Sequence, residues 1–322
     1  MKKFAATVLL FTLLLSGCGE ETPTEPEATP TVDPYAGMVQ VESGYGTSMW
    51  VTEYEDVPRS GLTAEDFSDG VYIGDDYAVY QGIDVSEHQG EIDWLSVAES
   101  GVSFALIRAG YRGYGSTGVL SEDTYFTANM DGAAANGVAR GVYFFSQAVS
   151  AEEAAEEAAF LLELLAPYGP EALSLPVYYD WEDISNDEAR TDGLDGETIT
   201  DCAVAFCTAL SAAGYEAGVY AYRYLGYFSY DLSRLTDWSL WIGAVSDYPD
   251  FYYAHDIWQY STTGTVSGIA TAVDLDLRLV PLPDGTGNAP TDAPDAETDA
   301  ASHADAAEAE ASTGTAEAEP GA

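Results

Sequence analysis

The sequence predicts an α/β fold, a parallel (β/α) barrel of the TIM type formed by one domain. Short apolar runs alternate with helical patterns between Tyr80 and Pro281, which is typical of β/α units. Eight such runs are present, the number that closes this kind of barrel: Gly82–Val85, Phe104–Ala109, Gly141–Phe145, Leu175–Asp180, Ala217–Tyr220, Leu240–Ala244, Asp256–Gln259 and Ala272–Leu275. An open doubly wound sheet is the alternative, but the glycine-rich turn of a dinucleotide fold is missing after the first run.

Helical patterns fill the gaps between the earlier runs, and capping residues stand at their ends. Asp93 and Ser150 precede two of the helices as N-caps, and Gly137 and Gly214 follow two as C-caps. The predicted helices are Trp94–Ser100, Glu122–Asn136, Ala151–Leu165 and Thr198–Ala213. The later gaps are short, so we expect some late strands to join without a full helix.

The first 18 residues are predicted to be a lipoprotein signal peptide. A positive start is followed by an apolar run, Phe4–Leu15, that is too short for a permanent membrane span. Small residues then precede Cys18 in the pattern of a bacterial lipobox. We therefore expect acylation of Cys18 and attachment to the outer face of a membrane. An ordinary signal peptide with an incidental cysteine is the alternative.

Three further segments follow the predicted signal. Residues 19–78 are predicted to be a linker, rich in Glu, Thr and Pro, followed by a partly ordered extension that contains aromatic residues. Residues 79–283 hold the predicted barrel. Residues 284–322 are mainly Ala, Asp, Glu, Thr, Gly and Pro, so we expect a disordered acidic tail.

The composition argues against several kinds of partner. The net charge is −45, so binding to nucleic acid, which needs a positive field, is not expected. Cys202 and Cys207 lie five residues apart in a predicted helix, out of alignment for a mutual disulfide. The sequence has no cysteine and histidine spacing typical of a zinc site, and we expect neither a metal nor an organic cofactor.

Acidic residues stand in three of the predicted strands or directly after them. Asp84 lies near the end of the first run, Asp180 and Glu182 close the fourth, and Asp274 with Asp276 marks the last. Because the active site of a β/α barrel lies at the carboxyl ends of its strands, these acids are predicted to converge on one pocket.

The spacing of Asp180 and Glu182 favours glycoside cleavage. Residues i and i+2 of a strand face the same side, with Cα atoms about 6.6 Å apart. One carboxyl can keep a proton for the leaving oxygen while the other stays ionised beside the positive charge on the sugar. Each acid could instead be a helix cap or an ion-pair partner of Arg108 or Arg112.

The segment from Tyr80 to Leu277 resembles the family 25 glycoside hydrolases, a family of lysozymes. The stretches that carry the resemblance occur in the family's order along the chain. They are Gly82–Ser86, His88–Gly90, Ile92–Trp94, Phe104–Tyr111, Phe126–Asn129, Gly141–Phe145, Pro176–Glu182, Leu240–Ile242, Asp256–Ser261 and Val273–Leu275.

The resemblance implies a modified (β/α) TIM-like barrel. It also implies an N-acetylmuramidase that cleaves the β-1,4 bond between N-acetylmuramic acid and N-acetylglucosamine in peptidoglycan. It implies that Glu182 is the general acid/base, and that Asp180 stabilises the sugar cation or orients the substrate's acetamido group. Asp84 and Asp274 are implied to be supporting carboxylates of the pocket. Retention of the anomeric configuration, with possible assistance from the substrate, is also implied. Asp276 stands where Asn is common in the family.

Four aromatic residues near the predicted strand ends are candidates for stacking on sugar rings: Tyr111, Tyr143, Phe145 and Trp258. Packing in the barrel core or at its rim is the alternative for each, and Trp258 is the residue favoured for the groove.

The expected partners are therefore the glycan strands of peptidoglycan and, through Cys18, a membrane. We expect a monomer that acts in the cell wall, at the extracellular face of the membrane. A catalytically inactive wall-binding lipoprotein with the same barrel is one alternative, which the intact acid set disfavours. Another barrel glycosidase, such as a chitinase, is a second.

Overall fold

The computed structural model describes residues 33–43, 46–68, 70–184 and 187–283. The chain divides into two units, residues 1–36 and 37–322, and the second unit carries the fold. The predicted signal peptide with Cys18, the linker up to residue 32 and the predicted tail 284–322 lie outside the described residues. Among the helices of the described ranges, none has both the length and the apolar character that crossing a bilayer requires.

Strands and helices are numbered in chain order. The strands are β1 (Met38–Glu42), β2 (Ser48–Thr52), β3 (Phe67–Ser68), β4 (Val71–Tyr72), β5 (Tyr77–Val85), β6 (Phe104–Arg112), β7 (Leu120–Glu122), β8 (Ala139–Ser146), β9 (Val177–Trp181), β10 (Ala217–Tyr222), β11 (Ser239–Gly243), β12 (Ile257–Gly264) and β13 (Val273–Pro281). The helices are α1 (Trp94–Glu99), α2 (Phe126–Ala135), α3 (Ala151–Leu165), α4 (Gly196–Ala212) and α5 (Arg223–Phe228).

A nine-stranded sheet contains the barrel, with β7 as an added edge strand beside β6. The other eight strands close on themselves in the order β5-β13-β12-β11-β10-β9-β8-β6, because β6 pairs back with β5. Neighbouring strands are parallel, except that β13 runs antiparallel to both β12 and β5. The mixed α/β architecture and the closed barrel confirm the predicted fold class, and the reversed last strand is its modification.

The helices begin where the sequence supplies caps. The side chains of Asp93, Ser150 and Asp195 accept hydrogen bonds from backbone N–H groups in the first turns of α1, α3 and α4. No α-helix lies between β11 and β12 or between β12 and β13, where every residue is described. The late strands therefore join directly, as their short gaps predict.

The second predicted helix, Glu122–Asn136, is wrong at its beginning. Glu122 belongs to β7, where it pairs with Gly110 of β6. The helix α2 starts at Phe126, after Asp123 has accepted a hydrogen bond of 2.9 Å from the backbone N–H of Tyr125. Pairing with a distant strand thus overrides the helical pattern of these residues.

Alternation along the strands divides the core into an inner and an outer layer. The side chains that fill the inside of the barrel are Phe104, Leu106, Tyr143, Leu175, Tyr178, Tyr220, Trp241 and Ile257. Gly82 makes room for them, because a Cβ at this position would lie 2.2 Å from the ring of Phe104. Outside the barrel, Cys202 and Cys207 are buried on α4 with free thiols. The barrel is thus a filled core, and a ligand has to bind at its mouth.

The extension before the barrel packs against it. The hairpin of β1 and β2 leads to Tyr54, whose ring lies 5.8 Å from that of Tyr253. The Tyr253 hydroxyl donates to the carbonyl of Thr52 at 2.6 Å and accepts from the backbone N–H of Tyr54 at 3.0 Å. Further along, Phe67 of β3 packs edge-on against Trp258, with ring centroids 5.6 Å apart.

Candidate active site

The acids singled out in the sequence meet at one end of the barrel, where the parallel strands end. Asp84 lies at the end of β5 and Asp180 at the end of β9, and Glu182 follows β9 directly. Asp274 lies opposite Asp84 in the pairing of β13 with β5. The charge of Asp274 raises the pKa of both Asp84 and Glu182. Acids from three strands therefore share one site.

Asp274 reaches the site by a different route from the one expected. The last run was predicted as Ala272–Leu275, with its acids at the end of a strand. The strand β13 instead begins at Val273 and runs antiparallel to β5, so its first residues lie at the barrel mouth. Asp274 stands at this start, half-buried, and Asp276 lies fully buried two residues further into the barrel.

A chain of hydrogen bonds connects Asp84 to the neighbouring strands. The amide nitrogen Nε2 of Gln259 donates to Oδ2 of Asp84 at 2.7 Å. The hydroxyl of Tyr220 donates to Oε1 of the same glutamine at 2.8 Å. All three side chains are buried. Gln259 thereby orients the Asp84 carboxyl and stabilises its charged form.

Burial keeps protons on the inner acids. It raises the pKa of Asp276 to about 8, although Oδ1 of this residue accepts a hydrogen bond of 2.8 Å from Nε1 of Trp241. Burial also raises the pKa of Asp84 well above its ordinary value, and the charges of Asp276 and Asp274 raise it further. Several carboxyl groups so close together cannot all ionise at neutral pH.

Asp180 and Glu182 form a second pair with shared protonation. Burial raises the pKa of Asp180 well above its ordinary value, and the charge of Glu182 adds to this shift. Burial raises the pKa of Glu182 as well, against the effect of a hydrogen bond with Asp180. The pair therefore holds on to a proton that two separate exposed carboxyl groups would lose. Nε2 of Gln147 fixes the backbone here by donating to the carbonyl of Glu182 at 2.8 Å.

A cleft of about 430 Å³ opens above these acids, within the range of small-molecule binding pockets. Glu182 lines it, whereas Asp180 lies beneath it and is buried. The other lining residues are Met49, Tyr220, Tyr222, Arg223, Tyr224, Gly243, Ala244, Val245, Gln259 and Thr262. Glu182 is thus the member of the pair that can touch a bound ligand.

Three of the four aromatic candidates lie on β6 and β8, the neighbours of the strands that carry Asp84 and Asp180. Tyr111 is half-buried, with the guanidinium carbon of Arg108 5.2 Å from the centre of its ring. Phe145 is half-buried on β8 and pairs in register with Asp180 of β9. Tyr143 is buried inside the barrel, and its ring lies edge-on to Trp241 at 5.8 Å.

The prediction that Trp258 lies in the groove is wrong. Its side chain is 0% exposed and points out of the barrel, where it packs between Phe67 and Tyr260. Its Nε1 donates to the carbonyl of Ala244 at 2.7 Å. No ring face is left for a sugar. Because side chains alternate along a strand, Trp258 and the inward-facing Gln259 cannot both face the site.

The two arginines considered as partners of the acids are paired elsewhere. Nε of Arg108 lies 2.7 Å from Oδ2 of Asp123, and Nε of Arg112 lies 2.7 Å from Oε1 of Glu157. Among the ion pairs of the described residues, none joins either arginine to the four predicted acids. Those acids are therefore not simply the anionic halves of structural salt bridges.

Three residues of the site were not predicted from the sequence: Tyr220, Trp241 and Gln259. They hold the carboxyl groups of Asp84 and Asp276 in place. Each lies on an inward-facing position of its strand, and that alternation is the signal by which they could have been found. Within the described ranges, no group of three or more His, Cys, Asp and Glu side chains is arranged to hold a metal ion.

A closed β/α barrel with partly protonated carboxyl groups at the ends of its strands is typical of barrel glycosidases. Residues 83–269, more than half of the chain, match the model of the family described as "Glycosyl hydrolases family 25". The chain therefore belongs to this family.

Several known proteins are similar to it. A stretch of 67 residues is 43% identical to Lysozyme M1 of Streptomyces globisporus and makes up 21% of each chain. The modular autolysin LytC from Streptococcus pneumoniae, solved in complex with a synthetic peptidoglycan ligand, superposes with a TM-score of 0.54 and 24% identity, over 75% of this chain and 56% of LytC. A family 25 glycosyl hydrolase from Bacillus anthracis superposes with a TM-score of 0.53 and 22% identity, over 68% and 94% of the two chains. The solved structures share the fold, while the chain matches about a fifth of the lysozyme and about half of LytC.

Proposed function

We propose that this protein is a lysozyme that hydrolyses the β-1,4 bond between N-acetylmuramic acid and N-acetylglucosamine in peptidoglycan. The observation that carries the proposal is the cluster of carboxyl groups with raised pKa values around one cleft at the barrel mouth. Membership of family 25 supports a glycosidic bond as the target. The peptidoglycan ligand of LytC and the name of Lysozyme M1 support peptidoglycan as the substrate.

Glu182 is the proposed general acid/base. It lines the cleft, and burial raises its pKa, so it keeps a proton to a higher pH than an exposed glutamate does. In the first step this proton moves to the glycosidic oxygen as the bond to the anomeric carbon breaks. The proton that is released when water attacks later returns to Glu182.

Asp180 is proposed to act on the sugar that carries the developing positive charge. Once the shared proton has left, both carboxyl groups of the pair are ionised. The positive charge on the sugar lies next to them and offsets the repulsion between the two carboxylates. Oδ1 of Asp180 is buried and has no hydrogen-bond partner among the described residues. This oxygen lies beneath the cleft, so it either stabilises the sugar cation through its charge or, once the side chains above it shift on binding, accepts a hydrogen bond from the acetamido N–H of the substrate. The second arrangement would let the acetamido group assist the reaction.

Asp84 and Asp274 are proposed to be supporting acids of the pocket. Asp84 is oriented by Gln259, and Asp274 contributes a charge that raises the pKa of Glu182. The negative charge of Asp274 favours a positive transition state over the neutral substrate, which is the requirement for catalysis. We propose that one wall of the sugar-binding site is formed by Tyr111, Tyr143 and Phe145. The half-buried rings of Tyr111 and Phe145 would stack on sugar rings of the substrate.

We further propose that acylation of Cys18 holds the enzyme at the extracellular face of the membrane, next to the cell wall. Two acyl chains or one chain with a second signal would give stable anchoring. Metabolic labelling with a fatty acid should mark the wild type and leave Cys18→Ala unmarked. Equal labelling of both proteins would contradict the anchor.

Reducing-end analysis of digested peptidoglycan tests the proposed activity. Purified sacculi are incubated with the enzyme, reduced with borohydride and analysed by mass spectrometry. New reducing ends on N-acetylmuramic acid are expected. New reducing ends on N-acetylglucosamine, or binding to cell-wall gels without any clearing, would overturn the proposal.

A further inference from the structure

The cleft above the acids is not built by the barrel alone. Met49 lines it together with Glu182 and Gln259, although Met49 belongs to β2, in the extension before the barrel. This extension lies outside residues 83–269, the part of the chain that matches the family. The hairpin therefore lies outside the matched residues and still reaches the proposed active site.

The hairpin is firmly attached, so the position of Met49 is defined. Val51, two residues further along β2, is fully buried, and the carbonyl of Thr52 accepts the hydrogen bond from the Tyr253 hydroxyl. Met49 is half-buried and packs against the outer hydrophobic core. One face of an apolar, adaptable side chain thus stays open to the cleft.

An exposed aromatic pair stands at the same edge of the cleft. Tyr224, on α5, lines the cleft and is 60% exposed. Phe228 lies one helical turn later and is 46% exposed, and the two ring centroids are 4.7 Å apart. These two adjacent rings offer an exposed apolar surface next to the cleft.

We infer that one apolar surface binds sugar units of the glycan strand beyond the bond that is cut. This surface, here called the apolar ledge, consists of Met49, Tyr224 and Phe228. The inference rests on the proposed function. Because Tyr224 and Met49 share a cleft with Glu182, a chain held across Glu182 continues onto the ledge. The ledge side chains carry no charge, and aromatic rings suit the apolar faces of sugar rings.

The ledge makes substrate length matter. A long glycan strand can contact Glu182 and the whole ledge at once, whereas a short oligosaccharide makes fewer contacts beyond the cut bond. Contacts remote from the reacting atoms then strengthen the binding of long strands. Met49 ties this preference to the hairpin of β1 and β2.

Kinetics on substrates of two lengths test the ledge. Wild type, Met49→Ala and the double variant Tyr224→Ala/Phe228→Ala are compared on soluble uncross-linked glycan strands and on a peptidoglycan tetrasaccharide. For the long strands, KM of the double variant should rise roughly five- to thirtyfold, the loss expected for one or two stacking contacts. A smaller rise in the same direction is expected for Met49→Ala. For the tetrasaccharide, which meets Met49 and Tyr224 in the cleft but has fewer sugar units to place beyond it, KM should rise by a smaller factor than for the long strands.

Leu95→Ala provides the matched control. Leu95 is an apolar residue on α1, 56% exposed and absent from the cleft lining, and its replacement should leave both substrates unaffected. Should the double variant lose its structure by circular dichroism, Tyr224→Ala alone makes the same test.

Binding without turnover separates the ledge from the chemistry. Calorimetry with the long strands is done on Glu182→Gln, with and without the ledge substitutions, and weaker binding in the ledge variants is expected. If wild type cuts both substrates and the ledge variants match it on long strands, the ledge is wrong while the proposed activity stands. If wild type cuts neither substrate but the ledge still contributes to binding, the proposed activity is wrong.

Discussion

Replacing Asp276 by Asn should change how stability depends on pH. Burial raises the pKa of Asp276 to about 8 in the folded protein, while an aspartate in the unfolded chain has a pKa of about 3.9. Between these values the folded state binds more protons than the unfolded state, so stability falls as pH rises. The slope approaches about 1.4 kcal/mol per pH unit, or roughly 2 to 3 kcal/mol between pH 5 and pH 7 for this residue alone.

Asn in place of Asp276 keeps an oxygen for the hydrogen bond from Trp241 but cannot ionise. The free energy of unfolding of Asp276→Asn should therefore lose much of its decline between pH 5 and pH 7. The Tm of the variant relative to the Tm of wild type should therefore rise by roughly 5 to 10 °C from pH 5 to pH 7. Urea unfolding and calorimetric melting at pH 5, 6, 7 and 8 measure it. The exposed Asp237→Asn is the control and should follow wild type. Parallel curves for wild type and Asp276→Asn would refute the assignment of a buried, protonated carboxyl.

Two further substitutions, with a third as control, test one contact of the site and one buried ion pair outside it. Tyr220→Phe removes the hydroxyl that donates to Oε1 of Gln259. Leaving this buried Gln259 oxygen unpaired should cost about 1 to 3 kcal/mol of stability and should lower kcat more than it changes KM. An unaltered kcat and urea midpoint would contradict the role of Gln259 in positioning Asp84. Glu157→Ala leaves the buried Arg112 without its partner at 2.7 Å and should cost about 3 to 5 kcal/mol in urea unfolding. Glu156→Ala removes a 66% exposed partner of Arg112 at 3.4 Å and should cost less than about 1 kcal/mol of stability. Equal losses of stability in the two variants would show that the buried pair contributes no more than the exposed one.

The barrel could be predicted because local sequence patterns, namely apolar runs and capping residues, indicate its strands and helices. Each apolar run overlaps a strand of the barrel, and the caps Asp93 and Ser150 lie where α1 and α3 begin. The direction of β13 could not be predicted, since an apolar run carries no mark of whether its neighbour is parallel. Asp274 reaches the mouth because of that direction, not because it ends a strand.

The prediction of the site was limited in a similar way. Acids can be singled out by type and by their place at strand ends, and those from three strands do lie together. The neutral residues that orient them, such as Gln259 and Tyr220, look like ordinary strand residues until the barrel brings them to Asp84. Trp258 was predicted to face the groove because its ring could stack on a sugar. Its place next to the inward-facing Gln259 on the same strand indicates the opposite face. The contribution of Met49 depends on how the extension packs on the barrel, which no local pattern encodes.

The central claim is that Glu182 supplies the proton that breaks a glycosidic bond at the barrel mouth. The most direct measurement is turnover of purified peptidoglycan by Glu182→Gln, beside wild type and the exposed control Glu163→Gln, with melting curves for all three. We predict a loss of about 10²- to 10⁴-fold in kcat for Glu182→Gln, with its fold retained and the control fully active. Wild-type turnover by a folded Glu182→Gln variant would contradict the claim.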